Sequence, residues 1–287
     1  MLLSSLSFAL VNLCVKILSD KPNLFPEIQN YPVQELVLFR SLVSLSICVA
    51  IIKAKKIPFF GNNKKWLLTR GIAGVTSLTL FFFTLENLPM AIATTVQYLS
   101  PIFTILIAIY LVNEKVKPIQ WLFFAISFSG IIVIGWDGNS SGSIELIWLV
   151  LGLCSAVISG VAYNAIIQCS KTDEPVTVVM YFPLVATPVM LVLCYAWGYV
   201  IPQGIEWLLL LLIGVLTQIA QVSMTRAFNS ASASKITPIK YVGAVYSVVI
   251  GLFVFDEKLS LYSSFGIVLI LIGVLLNTFL KQRKLAK

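Results

Sequence analysis

The 287-residue sequence has no histidine, which removes the commonest general base and transition-metal ligand. Charge is scarce: 11% of residues are charged, with 12 acids against 20 bases. No Gly-x-x-x-x-Gly-Lys-Ser/Thr segment occurs, so the chain has no phosphate-binding loop with which to use ATP. The five cysteines, Cys14, Cys48, Cys154, Cys169 and Cys194, fall in or at the edge of apolar runs, with no Cys-x-x-Cys spacing. Cysteine there behaves as a small hydrophobe, and neither zinc nor a disulfide framework is expected. The only carboxylate well inside an apolar run is Glu35, near one end of it. Intramembrane hydrolysis needs paired carboxylates, a metal set or a nucleophile with its base. With those actors missing, the sequence reads as a non-enzyme with no catalytic residue, no cofactor and no metal.

What is abundant is apolar surface: 59% of residues are hydrophobic and the mean hydropathy is +0.95. Ten apolar runs lie near 2–18, 33–52, 66–85, 90–112, 118–136, 144–168, 176–200, 206–226, 233–255 and 261–280. Each approaches the ~20 residues that cross ~30 Å of hydrocarbon. The first run lacks a basic leader and a small-residue cleavage site, so it reads as a span rather than a removable signal. The fold class expected is an all-α integral membrane protein of ten transmembrane helices, with the lipid bilayer as its surroundings. The net charge of +8 is distributed to orient the chain rather than to bind nucleic acid. With a cytoplasmic N-terminus, fifteen Lys and Arg residues, Arg70 among them, fall in or beside cytoplasmic connections. Three, Lys16, Lys21 and Lys258, fall toward the outside. Both termini are then cytoplasmic.

The segment 91–115 recurs as 234–258 at a constant offset of 143 residues. Thr94 meets Thr237, Tyr98 meets Tyr241, Ile107 meets Ile250, and Glu114-Lys115 meets Glu257-Lys258. Five crossings separate the two Glu-Lys corners, and an odd number places them on opposite faces. The ten helices therefore divide into two inverted five-helix repeats, 1–137 and 143–281, followed by a basic cytoplasmic tail, 282–287. Inverted repeats build alternating-access carriers with the solute near the midplane. A duplication that only stabilises a bundle would leave the same trace.

The run LENLPMAIATTVQYLSPIFTILIAIYLVNEKV, followed by FSGIIVIGW, resembles the drug/metabolite transporter superfamily, and within it the EamA family. VLFRSL in the second span, RGIAG opening the third and MTRAF closing the eighth resemble that family too. The resemblance implies ten helices in two inverted five-helix bundles, with a central cavity lined mainly by helices 1, 3, 4, 6, 8 and 9. It also implies a small organic solute such as an amino acid, nucleoside, vitamin or toxic compound.

Polar side chains inside a bilayer are costly and face protein or water, so they mark positions along such a cavity. Thr94, Gln97, Tyr98 and Pro101 share an arc of helix 4, and the repeat puts Thr237, Lys240 and Tyr241 on the matching arc of helix 9. Pro101 deprives the Gln97 carbonyl of its intrahelical donor. Lys240, which stands where the first copy has Gln97, either meets an anionic group of the solute or snorkels to the headgroups. Gln218, Gln221 and Thr225 form a polar face on helix 8, whereas the equivalent positions on helix 3 are Val75, Leu78 and Phe82. One polar wall and one aromatic wall suit an amphipathic solute. Asn12 with Lys16, and Tyr163 and Asn164 with Gln168, echo each other on helices 1 and 6; Lys16 is read as gating, contacting solute or snorkelling. Arg40 reads as structural, paired with a group on another helix, and the two Glu-Lys corners read as solvated helix ends.

The function expected is a secondary transporter of a small organic metabolite; the alternative is a non-ATP-driven channel or facilitative pore. The expected location is a bacterial cytoplasmic membrane. Gly266 and Gly273 on helix 10 suit either a homodimer contact or packing inside the monomer.

Overall fold

A computed structural model describes residues 1–19, 27–112, 118–141, 145–230 and 242–285. Every regular element among them is helical: α1 (Leu2–Leu18), α2 (Val33–Lys55), α3 (Lys64–Asn87), α4 (Met90–Gln97), α5 (Ser100–Val112) and α6 (Pro118–Ser141). There follow α7 (Leu146–Cys169), α8 (Pro175–Trp197), α9 (Glu206–Ser230), α10 (Val242–Val254) and α11 (Leu261–Leu285). Seven stretches are long and apolar enough to cross a membrane, one of them Met90–Leu111, which joins α4 and α5. Leu2–Leu18, Val242–Val254 and Leu261–Asn277 are shorter apolar helices. Helices dominate because hydrocarbon offers the backbone no partner, so each N–H and C=O is satisfied within its own segment.

Proline sets two of the boundaries. Leu88, extended at φ −120° and ψ 157°, precedes Pro89, which caps α4; the residue before a proline is pushed out of the α region. Between α4 and α5 the helix is interrupted at Tyr98–Leu99, three residues before Pro101 reaches the first turn of α5. Pro101 has no N–H to return to the Gln97 carbonyl, and a first helical turn is where proline is tolerated. The one apolar run 90–112 is thus two helices.

Packing runs chiefly between the first half of the chain and the second. α3 packs on α7 and α8, α1 on α9 and α10, α2 on α8 and α9, α5 on α7, and α6 on α11. The seam of α6 with α11 is close enough to need glycine. A methyl on Gly130 would stand 2.5 Å from the Gly266 carbonyl oxygen, and one on Gly273 would meet Ser127 and the Phe123 carbonyl. Gly266 and Gly273 are therefore used inside the monomer, where small residues let two backbones approach.

Two polar clamps join connections across the halves. Asp173, between α7 and α8, accepts from the amides of Asn62 and Asn63, and Asn62 Nδ2 donates 2.9 Å to the Thr172 carbonyl. At the other clamp, Glu206 accepts from the Gln29 amide at 2.7 Å and the Tyr31 hydroxyl at 2.6 Å. Burial, then the Glu206 carboxylate, raises the Tyr31 phenol above its ordinary pKa, so it remains a donor at physiological pH.

Candidate functional site

A cavity of about 990 Å³, its mouth included, lies between the halves. Its walls come from α1 (Met1 to Asn12), α2 (Arg40), α3 (Arg70 to Phe82), the end of α4 (Thr94 to Tyr98), α7 (Ser159 to Tyr163), α8 (Phe182) and α9 (Gln221, Met224). The lining does not divide into the polar helix-8 wall and apolar helix-3 wall expected from the sequence: α3 supplies Arg70 and Ser77 beside Leu78, Phe81 and Phe82, and α9 supplies Gln221 beside Met224.

Of the positions singled out in the sequence, Asn12, Phe82, Thr94, Gln97, Tyr98, Tyr163 and Gln221 line this one cavity. Thr94 spends its hydroxyl on the Met90 carbonyl at 2.7 Å, which leaves its methyl for the wall. Gln97 is held by α7: its Nε2 donates 2.7 Å to Ser159 Oγ, and its Oε1 lies 2.9 Å from Ser155 Oγ. Three others lie outside the lining. Gln218 accepts from Ser44 at 2.6 Å and donates to Cys48, tying α9 to α2. Asn164 donates 2.9 Å to the Thr104 carbonyl, tying α7 to α5. Pro101 acts on the helix break rather than on the wall. Thr237, Lys240 and Tyr241 lie outside the described residues.

The expectations for Arg70 and Glu257 need correction, and those for Arg40 and Lys16 are narrowed. Arg70 is not in a connection; it is 4% exposed, on the second turn of α3, and its Nη2 donates 3.1 Å to Gln221 Oε1. Arg40 has a neutral partner, Nε donating 2.9 Å to Thr217 Oγ1, while Glu35 accepts instead from the Val200 amide. Its guanidinium carbon lies 5.0 Å from the centre of the Phe182 ring, and that of Arg70 lies 5.5 Å from the same ring. Lys16 does not snorkel: its ammonium donates at 2.9 Å to the carbonyls of both Leu85 and Leu88. Glu257 is not a solvated corner, since its carboxylate accepts from the Met90 amide at 2.5 Å and from the Ala91 amide at 3.4 Å.

The contacts of those last two residues lie about one turn beyond the cavity lining on three helices, Lys16 past Asn12, Leu85 past Phe82 and Met90 before Thr94. The ammonium sits on the C-terminal carbonyls of α3 and the carboxylate on the N-terminal amides of α4, each matching the sign of the helix end it meets. Leu18, Leu85, Leu88 and Met90, each at most 1% exposed, close the packing around them. At the opposite end the lining runs out to Met1. Sequence reasoning also missed Ser77, Ser155 and Ser159, which join α3, α7 and Gln97 in one polar cluster. The spacing of Ser155 and Ser159, i and i+4 on an otherwise apolar helix, was the available signal.

The family model of the EamA-like transporters matches the chain twice, over residues 1–136 and 146–279. The chain belongs to the EamA-like transporter family. It is a multi-pass membrane protein of a transporter family, and its relatives are transporters rather than enzymes. The pseudopaline exporter CntI of Pseudomonas aeruginosa is 29% identical over 273 residues, covering 94% of this chain and 92% of the relative. An S-adenosylmethionine uptake transporter of Rickettsia felis is 22% identical over 240 residues, covering 80% of each. A solved crystal structure matches with a TM-score of 0.66 at 19% identity, over 98% of both chains, and so shares the fold.

Proposed function

We propose that this EamA-like protein is a secondary carrier that moves a small, amphipathic organic solute by alternating access. The ten apolar segments are ten crossings, arranged as inverted halves 1–137 and 143–281. Three observations support that arrangement. The family model fits each half separately. Exchanging the halves maps the packing onto itself: α3 on α7 becomes α9 on α1, α2 on α9 becomes α8 on α3, and α5 on α7 becomes α10 on α1. The clamp at Asp173 likewise has its counterpart at Glu206.

The observation that carries the transport reading is a cavity walled by both halves, and we read the Lys16 and Glu257 contacts, about one turn beyond its lining, as its closed end. A facilitative pore needs a passage open at both ends. A carrier needs one end shut at a time, which is what this arrangement supplies. With the N-terminus cytoplasmic in a bacterial inner membrane, the Met1 end faces inward. Direction then follows gradients and coupling rather than architecture; the relatives include both an exporter and an uptake transporter.

Two experiments test the reading. Purified protein in proteoliposomes should show saturable flux for a member of a labelled metabolite panel; flux that rises linearly without saturation would make it a pore. Exposed Lys64 and Gln203 should lie on opposite faces. An impermeant maleimide applied to whole cells should therefore label Gln203→Cys and spare Lys64→Cys. Equal labelling of the two would remove the inverted arrangement.

A further inference from the structure

Among the described residues, the central cavity is lined by two positive side chains and no negative one. Arg40 and Arg70 line it, and no Asp or Glu is among its described lining residues. Both are nearly fully buried, at 2% and 4% exposure. Their hydrogen-bond partners, Thr217 and Gln221, are neutral. Arg40 Nη1 and Arg70 Nε have no partner among the described residues. The guanidinium carbons stand 5.0 and 5.5 Å from the centre of one ring, Phe182, and Arg40 stands 5.9 Å from Phe82. Ring contacts and single bonds to neutral groups are weak against the cost of desolvating an ion, and two like charges beside one ring repel each other. Space has been kept for one of them, since a methyl on Gly74 would collide with Arg70 Nη1.

A guanidinium presents a planar fork of donors that fits a carboxylate or phosphate better than any neutral group. We infer that Arg40 and Arg70 form an anion-binding subsite around Phe182, and that the solute is an organic acid. Its carboxylate or phosphate lies between the two guanidinium groups, and its apolar part lies along Phe81 and Phe82. The inference rests on the cavity being the path of the solute. It assigns the charge recognition to α2 and α3, independently of Lys240.

The test is binding by the purified full-length protein, read as its thermal unfolding midpoint. The probes are matched pairs: glutarate with glutaramide, benzoate with benzamide, nicotinate with nicotinamide, AMP with adenosine. Dihexanoyl phosphatidylglycerol is added as a separate arm to distinguish a lipid headgroup from a water-borne acid. At least one acid should raise the midpoint by about 3–6 °C at ten times its dissociation constant, with its neutral twin far less effective. Arg40→Gln and Arg70→Gln should each weaken that acid at least about tenfold, as loss of a charge-assisted hydrogen bond does. Arg40→Lys and Arg70→Lys, which keep the charge but not the fork, should fall between, and they stand in if the Gln variants fail to fold. A panel in which no acid exceeds its neutral twin overturns the inference, as does stabilisation by the lipid alone or binding that survives in the Arg variants. Because the readout is binding, it separates from the carrier reading. Acid binding without saturable flux keeps the subsite and removes the carrier. Saturable flux of a neutral or cationic solute, without acid binding, does the reverse.

Discussion

A side chain at Gly273 would have nowhere to go. Its first carbon would collide with Ser127 Oγ and stand 2.6 Å from the Phe123 carbonyl oxygen and 2.8 Å from the Ser127 amide, and a backbone cannot rotate away. Gly273→Val is therefore expected to destabilise by about 1–3 kcal/mol or more, the range for overpacking a tight contact. Gly135 on the same pair of helices is the control. Its nearest neighbours are side-chain carbons at 3.5 and 3.6 Å, so Gly135→Ala should leave the midpoint in place or raise it. Thermal unfolding in detergent compares the two directly; equal losses would mean that the close approach at the seam does not decide the effect.

Among the elements, the interrupted span of α4 and α5 is the one whose sequence cause is a single residue. Pro101→Ala restores an amide that can reach the Gln97 carbonyl and lets the two helices fuse. Fusion would turn Gln97 and Tyr98, which line the cavity beside the break, about the helix axis. The variant should fold with a nearly unchanged midpoint while its initial rate of solute flux falls several-fold. A rate equal to that of the native protein would show that packing on α7, not proline, sets the break. The spans themselves were legible because some twenty apolar residues have few other readings. The bends inside them were legible only where a proline stands. Arg70 was not, because in sequence it follows Lys64 and Lys65 and looks like the end of a basic connection. Arg40 was visible as a charge but not as a wall, since charge carries no direction until the helix has a neighbour. The serine cluster stayed hidden because serine in a helix can satisfy itself on its own backbone, as Ser46 does on the Leu42 carbonyl at 2.9 Å. For positions 231–241 the repeat remains the source of the reading.

At the scale of the whole molecule, the carrier reading makes the contacts at the α3–α4 turn the closed end of the cavity. Lys16→Met would leave the carbonyls of Leu85 and Leu88 without their ammonium donor, at about 1–3 kcal/mol for each buried acceptor left unsatisfied. On the carrier reading that cost falls on the conformation closed at that end, so the population should shift toward one opened there. A single cysteine at Thr94, inside the cavity, reports it: an impermeant thiol reagent applied from the α3–α4 face should label Thr94→Cys faster with Lys16→Met than without it. Unchanged labelling would make the Lys16 contacts a fastening of α3 rather than part of a gate.

The exchange of partners between the halves also bears on how the chain is made. Helix α1 rests on α9 and α10, and α3 on α7 and α8, so the earliest segments to leave the ribosome have their seats among the last. During synthesis the first five crossings must stand in lipid with Arg40 and Arg70 still awaiting Thr217 and Gln221 of α9. The growing chain is therefore most vulnerable, to degradation and to wrong neighbours, in the interval before α9 arrives.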